Sequence, residues 1–242
     1  MKTTTDQVAE RIVSILRATY VPHHELAVVD CREFGHLDLA FYDAATDLLT
    51  SRGYRVLGDL ENRTLNSNPK RAFCRIMIRG LVSPDGSVSV GIYHAKRRAR
   101  HRFLSWIAGH PKHDRIVDVE TEYADGSFLL TTNATSASLA LFPPTVRTQF
   151  VPYGTEITEI LATHHRRHAA LLASKPGCTP RIRRTLEEVL ESQRRQLALK
   201  CAFRDSIGGL TVSELQRIAG NDSARVAEIA ERVRELWQDR PE

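Results

Sequence analysis

Residues 114–133 read DRIVDVETEYADGSFLLTTN, and this stretch decides the fold because it predicts two β-strands joined by a tight turn. An Asp-Gly pair between alternating apolar residues is the strongest short hairpin signal. Successive side chains of a strand point to opposite faces. We expect one apolar face, which carries Val117, Val119, Thr121, Tyr123, Phe128, Leu130 and Thr132. The other face carries Asp118, Glu120, Glu122, Leu129, Thr131 and Asn133.

The acids of this hairpin admit two interpretations. Asp118, Glu120 and Glu122 stand at two-residue spacing, roughly 7 Å apart on one face. Such a row could hold Mg²⁺ or Mn²⁺ for a divalent-metal phosphodiesterase. We favour local neutralisation, with partners in Arg75 and Arg79 on a facing strand or in a basic helix over residues 96–102. This interpretation predicts no catalytic residue, no metal and no cofactor.

The elements before the hairpin follow from periodicity and turn residues. Helices are predicted over 5–20 and 38–51, with Gly53 as a left-handed cap after the second. Strands are predicted over 54–60, 72–82 and 88–94, with a turn at 83–87. The preferred register sets Val82 opposite Val88 and Ile78 opposite Ile92, which turns Arg75 and Arg79 away from the core. A basic helix is predicted over 96–107.

After the hairpin the chain becomes helical. Residues 134–153 are apolar and broken by prolines, so we expect no regular structure there. Helices are predicted over 155–173 and 181–206, followed by a pair split near Gly220. The fold class is therefore α+β, an antiparallel sheet of about five strands with N-terminal helices and a helical C-terminal region. We divide the chain into a sheet domain, 1–153, and a helical region, 154–242, packed on it.

The order of elements between residues 38 and 173 is helix, three strands, helix, two strands and helix. This order resembles that of the type III secretion chaperones, with no shared sequence motif. Those chaperones are usually small and acidic, whereas this chain has 242 residues and a net charge of +5. The resemblance implies a chaperone-like role and transfers no site residue.

Positive charge is concentrated in two segments. Residues 96–115 carry a net charge of +6 and residues 163–204 one of +7, so the remainder carries −8. A basic surface can bind phosphates, nucleic acid or an acidic partner. It can equally neutralise the acidic strand face. The candidate binding residues are Lys96, Arg97, Arg98, Arg100, Arg102, Arg166, Arg167, Arg183, Arg184, Arg194 and Arg195.

Residues 210–226 resemble the helix-turn-helix of bacterial regulators. Thr211 and Glu214 form a capping box, and Gly220 falls at the turn. Gln216 stands where a small residue is expected, and the second helix carries Glu228 and other acids that phosphates would repel. The alternative is an ordinary helical hairpin that packs on the long helix before it.

Histidine spacing gives a further candidate. His164 and His168 are four residues apart on a predicted helix and could share a metal ion, but adjacent arginines oppose cation binding. We interpret them as solvated residues.

Composition limits the location of the protein. No window approaches eighteen consecutive apolar residues, the N-terminus lacks a secretion signal, and the four cysteines are far apart. We expect a cytoplasmic protein with no membrane contact.

The function that the sequence favours is binding of a macromolecule, as an adaptor or chaperone-like protein with a protein partner or by self-association. Nucleic-acid binding through the basic helices and a degenerate helix-turn-helix is one alternative, and phosphodiester hydrolysis is the other.

Overall fold

A computed structural model of the chain describes residues 4–67, 73–98, 115–134, 141–219 and 223–239. Seven strands in these ranges form one sheet, whose spatial order follows the chain. All neighbouring strands are antiparallel except the last pair, which is parallel. The strands are β1 (Leu26–Val28), β2 (Arg55–Asn62), β3 (Met77–Val82), β4 (Ser89–His94), β5 (Arg115–Glu122), β6 (Phe128–Thr132) and β7 (Val146–Phe150).

Seven α-helices accompany the sheet in the described ranges. A 3-10 turn at Cys31–Phe34 also packs near the first strand. The α+β class and the helices at both ends of the chain are thus confirmed. The helices are α1 (Thr5–Thr19), α2 (Leu39–Thr50), α3 (Arg63–Ser67), α4 (Ile157–Ser174), α5 (Leu186–Ser206), α6 (Val212–Ala219) and α7 (Ser223–Gln238).

The predicted number of five strands is wrong, because the sequence patterns did not predict β1 and β7. Strand β1 has only three residues, too few for alternation to register. Strand β7 lies inside 134–153, where we expected irregular chain, and its prolines flank the strand instead of interrupting it. The predicted helix over 96–107 lies mostly outside the described residues. Residues 96–98 are described, and they are not helical.

One face of the sheet, which we call the core face, packs against α2 and α4. Its core joins Met77, Leu81, Val90 and Val119 from the strands to Leu49 of α2, with further members from α4. This layer of helices on a sheet buries the apolar side chains that strand alternation directs to one face. The opposite face, which we call the acidic face, carries the three carboxylates of β5.

The β5–β6 hairpin forms as predicted, but its faces are different. Its loop has three residues, since Tyr123 donates its N–H to Ser127 O and Gly126 has a φ of 80°. A two-residue loop would shift the pairing by one. Glu120 therefore pairs with Leu130 and Glu122 with Phe128. Phe128, Leu130 and Thr132 lie on the acidic face, and the predicted distribution over the return strand is wrong.

The predicted register of β3 with β4 is wrong by one residue for a similar reason. Ser83 pairs with Val88 around a four-residue loop, so Ile78 faces Tyr93 instead of Ile92. Within this loop Asp85 accepts a hydrogen bond from the N–H of Ser87 at 3.1 Å. Both hairpins use this aspartate-to-serine contact to fix the turn.

The C-terminal helices do not pack only on the helix before them. Helix α1 lies against α6 and α7, and Val13 of α1 shares a core with Val226, Val233 and Trp237 of α7. Residues from both ends of the described chain thus build one helical cluster. The boundary between residues 153 and 154 stays a prediction.

Helix α5 begins five residues later than predicted. Thr185 caps it and forms a capping box with Glu188. Residues 181–185 are extended, and two of their N–H groups bond to the hairpins: Arg181 donates to Glu122 O at the end of β5, and Arg183 donates to Gly86 O in the β3–β4 turn. This extended lead places the arginine side chains at the start of the acidic face.

Candidate functional site

The three predicted carboxylates lie under helix α5. Glu120 is 4% exposed and Glu122 is fully buried. Arg183 is 1% exposed, and it reaches Glu120 Oε1 at 3.1 Å and Glu120 O at 3.0 Å. Gln193 and Gln196 of α5 complete the hydrogen bonding of the Glu120 carboxylate. Glu120 is thus neutralised and bound inside the fold.

Glu122 has its own arginine. Arg195 of α5 binds it through two parallel hydrogen bonds of 2.7 and 2.8 Å, and Arg181 lies 3.3 Å away. Burial by itself would raise the pKa of Glu122, but the hydrogen bonds from Arg195 and Ser192, with the charges of Arg195 and Arg183, together outweigh it and the pKa is lowered. The carboxylate therefore stays ionised while buried.

Asp118 and Lys200 occupy the remaining part of the acidic face. Asp118 Oδ2 accepts a hydrogen bond from the Tyr93 hydroxyl at 3.1 Å. Burial raises the pKa of Asp118 and lowers the pKa of Lys200. Lys200 donates to Gln196 and lies over the ring of Phe142 at 5.4 Å. This part of the face is a desolvated polar layer between sheet and helix.

The neutralising partners that we predicted on a facing strand, Arg75 and Arg79, are wrong, whereas residues 99–102 of the predicted basic helix lie outside the described residues. Arg79 makes a bidentate pair with Asp59 at 2.8 and 3.0 Å, and Arg75 binds Glu61 in the same manner. Both arginines lie on the core face, at its margin, because Arg75 covers the Phe34 ring at 4.7 Å. The backbone of the sheet lies between the core face and the acidic face. Neither arginine therefore reaches the acids of β5.

The residues of the predicted basic surface have different environments: some make contacts inside the molecule and others are exposed. Arg167 donates to Leu130 O and Arg147 O, besides Thr131. Lys96 donates to His36 O, and Arg97 lies over a phenylalanine ring. Arg166, Arg184 and Arg194 are exposed, Arg98 is half-buried, and Arg100 and Arg102 lie outside the described residues. With Arg183 and Arg195 engaged by acids, those of the predicted basic residues that the structure describes do not all face solvent.

The helix-turn-helix segment forms two helices whose apolar side faces the rest of the molecule. The predicted capping box is present, since Glu214 donates its N–H to Thr211 Oγ1 and accepts the Thr211 N–H at 3.0 Å. Glu214 also forms a buried ion pair of 2.7 Å with Arg204 at the end of α5. Glu228, Glu231 and Glu235 are exposed on α7. DNA reading by this element stays a prediction.

A cleft of about 540 Å³ opens at another place, between the β3–β4 turn and helix α4. Val88 and Leu161 form its apolar floor, and Pro84 belongs to its wall. Its charged rim includes Arg52, which follows α2, and Asp85 in the turn. The volume lies within the range of ligand-binding sites in proteins, roughly 300–1,000 Å³.

Two histidines of α4 line this cleft, and each contacts a tyrosine of the sheet side. His168 Nδ1 is 2.8 Å from the Tyr123 hydroxyl, and His165 Nε2 is 3.5 Å from the Tyr54 hydroxyl. Burial raises the pKa of each tyrosine to about 12, so both hydroxyls keep their protons. Burial, with the neighbouring His165, lowers the pKa of His168.

His164 is not a solvated residue and does not join His168. It is fully buried, and its two ring nitrogens contact Thr121 at 2.9 Å and Thr131 at 3.1 Å. Burial lowers its pKa to about 3, so the ring is neutral at physiological pH. Within the described ranges, no three His, Cys, Asp or Glu side chains are placed to hold a metal ion.

The structure is that of an α+β protein with a cleft between the β3–β4 turn and helix α4. Comparisons with protein-family models, with curated proteins and with solved structures find no match to this chain. The resemblance to type III secretion chaperones rested on a predicted order of elements, which the structure changes by adding α3 after β2 and β7 after β6, and the predicted helix over 96–107 lies mostly outside the described residues. In the described part of the chain, no helix is long and apolar enough to cross a membrane.

Sequence reasoning missed the cleft. Its charged residues come from three distant segments, around residues 52, 85 and 165. The one available signal was the histidine-rich stretch of α4, which predicted solvated side chains. Only the packing of α4 beside the β3–β4 turn brings these groups together.

Proposed function

We propose that this chain is a macromolecule-binding protein, of the adaptor or chaperone-like kind, that receives a protein partner at the cleft beside α4. The observation that carries the proposal is the composition of this cleft. An apolar floor of Val88 and Leu161 is surrounded by Arg52, Asp85 and His165. An apolar centre with a polar rim is the usual anatomy of a protein interface.

Exposed apolar side chains at the same end of the sheet support this choice. Ile182 is 46% exposed, and it lies so close to the β3–β4 turn that a Cβ on Gly86 would meet it at 2.8 Å. Val56, which follows the cleft residue Tyr54 by two positions, is 41% exposed. Apolar surface next to a cleft is typical of an interaction site.

The ion pairs that Glu120 and Glu122 of β5 make inside the fold favour a binding function over phosphodiester hydrolysis. A metal ion at Glu120 and Glu122 would have to displace Arg183 and Arg195 and to open the layer under α5. Removing one partner from a buried ion pair costs about 3–5 kcal/mol. The acids therefore serve the fold, and the cleft is the better candidate for function.

The test blocks the cleft with a large side chain. Ala162 is exposed on α4 and lines the cleft, so Ala162→Trp should fill the opening without disturbing the core. Ala173 is exposed on the same side of α4, three turns or about 16 Å further on, and Ala173→Trp is the matched control. Both variants should melt at the wild-type temperature.

Affinity capture from an extract of the source cells, followed by calorimetry with the purified partner, reads out the result. We expect the wild type and Ala173→Trp to bind the same partner, and Ala162→Trp to bind it at least tenfold more weakly. Equal binding by the two tryptophan variants would show that the partner does not use the cleft.

A further inference from the structure

The cleft has an excess of hydrogen-bond donors, and Arg52 contributes most of them. Arg52 Nη1 donates to Leu48 O at 3.0 Å, and no carboxylate in the described ranges lies within ion-pair distance of its guanidinium. Thr158, at the other side of the cleft, has a hydroxyl with no hydrogen bond to the described residues. An arginine presents five N–H groups, so several remain for a ligand.

His168 adds a donor whose proton position follows from its neighbour. The only hydrogen-bond partner of the Tyr123 hydroxyl in the described chain is His168 Nδ1, at 2.8 Å. Donation from the hydroxyl to Nδ1 satisfies both groups and places the proton of the neutral ring on Nε2. The Tyr54 hydroxyl lies 3.5 Å from His165 Nε2 and can donate to it in the same way. The proton of the neutral His165 ring is then on Nδ1, which remains as a donor.

Asp85 is the one carboxylate among the residues that line the cleft, and its oxygens are already occupied. Ser83 Oγ donates to Oδ1 at 2.6 Å, while Ser87 donates from its N–H at 3.1 Å and from its hydroxyl at 2.8 Å. Burial would raise the pKa of Asp85, but these bonds outweigh it and the pKa is lowered. Asp85 fixes the turn and leaves the donors of the cleft without a matching acceptor.

We propose that this cleft is an oxyanion site, in which Arg52, His165 and His168 hold a carboxylate or phosphate group of the partner. The floor of Val88 and Leu161 then receives the carbon atoms next to the anion. Bonds from an arginine to such a group are charge-assisted and stronger than neutral ones. That the anion belongs to a peptide rests on the proposed function, whereas the anion site itself does not.

The experiment titrates the full chain with inorganic phosphate, and separately with acetate, at constant ionic strength set with chloride. Imidazole signals are followed by NMR. We expect saturable shifts at His165 and His168, and no shift at His24, whose ring is held by Thr19 and Asn62. Saturation by phosphate alone assigns a phosphoryl group, and saturation by acetate assigns a carboxylate.

A pair of arginine variants tests the assignment of the donor. Arg52→Gln should weaken the binding of the anion by about tenfold, the effect of one charge-assisted contact. Arg166→Gln makes the same change of charge beside His165, but Arg166 does not line the cleft, so affinity should stay within twofold. Equal weakening by both variants would indicate general attraction and would overturn the site.

Absence of saturable shifts with either anion would also overturn the inference. The result of the anion titration can be distinguished from the result of the capture experiment. Anion binding together with partner capture by Ala162→Trp would keep the oxyanion site and reject the cleft as the partner site. Loss of capture without anion binding would do the reverse.

Discussion

At the scale of single residues, Asp118 differs from the two acids that follow it on β5. Glu120 and Glu122 each have an arginine, whereas Asp118 Oδ1 is buried without a hydrogen bond among the described residues. Burial raises the pKa of Asp118, against weaker opposing effects of the Thr132 and Tyr93 hydroxyls. Its ionised form is therefore disfavoured by the folded chain.

Asp118→Asn should stabilise the protein at pH 7–8. A carboxyl whose pKa is raised by folding contributes stability below its unfolded pKa, and this contribution is lost as the pH rises through the folded pKa. Asparagine keeps the shape and removes the charge, so the melting temperature should rise at pH 7–8. The difference from the wild type should shrink as the pH approaches about 4.

The control for this substitution is Asp47→Asn, at an exposed position of α2. Its melting temperature should follow that of the wild type at every pH. A lower melting temperature of Asp118→Asn at pH 8 would mean that the carboxylate is stabilised there after all.

Residue-level roles were the least predictable from the sequence. Arg79 was expected to point away from the core, but it lies on the core face because Asp59 and Asp43 neutralise it there. His164 was interpreted as solvated, although two threonine hydroxyls satisfy it in the interior. In both cases the deciding partner lies at least twenty residues away, where local periodicity carries no information.

At the scale of elements, the extended segment 181–185 connects two layers of the molecule. It bonds to the end of β5 and to the β3–β4 turn, and its arginine Arg183 enters the polar layer under α5. There the guanidinium binds Glu120, Ser192 and the carbonyl of Ser87. One side chain thus joins a strand, a turn and a helix.

Arg183→Met should destabilise the chain by about 3–5 kcal/mol, because it leaves the Glu120 carboxylate buried without its cation. Combining it with Glu120→Gln removes the unpaired charge and should recover at least half of that loss. Urea unfolding followed by circular dichroism measures both. A double variant no more stable than the single one would show that packing, and not charge, makes Arg183 important.

Arg194→Met provides the comparison. Arg194 makes an exposed pair with Glu191 on the same helix, with side chains 57% and 52% exposed. Such pairs contribute about 0–1 kcal/mol, so the unfolding midpoint should hardly move.

The hairpins show how far element prediction can reach. The Asp-Gly turn signals located both β-hairpins correctly, because turn chemistry is local. The loop lengths, three and four residues, were not specified by the glycine, and each shifted the register by one. A shift of one residue exchanges the faces of a strand. Phe128 and Leu130 consequently accompany the acids, which made a covering helix necessary.

At the scale of the whole molecule, α1 is the element with the most distant partner. Its buried residues Ala9 and Val13 contact a core built by α6, α7 and the segment before them. Arg17 adds a hydrogen bond of 2.5 Å to Leu236 O. The fold class was predictable from element order, but this pairing of the two chain ends was not.

Two substitutions on α1 test the pairing. Val13→Asp places a charge at a site that is 4% exposed and should cost at least about 3 kcal/mol. Ile15→Asp, at a site 57% exposed, should change the stability by less than about 0.5 kcal/mol. The indole N–H signal of Trp237, which bonds to Asp205, should shift or broaden only in the first variant.

If both variants have the same stability and the same indole signal, α1 does not depend on α7 in solution. A large effect of Ile15→Asp alone would place the opposite side of α1 at an interface.

The contact between α1 and α7 also sets an order of events during synthesis. Strands β2 to β7 each pair with the strand made just before, so the sheet can grow as the chain emerges. Val13 must instead wait for Val226, which follows after about 200 residues, or about 10–40 s at roughly 5–20 residues per second. Helix α1 is made before the other described helices and is covered last, and its apolar side is open to chaperones throughout that interval.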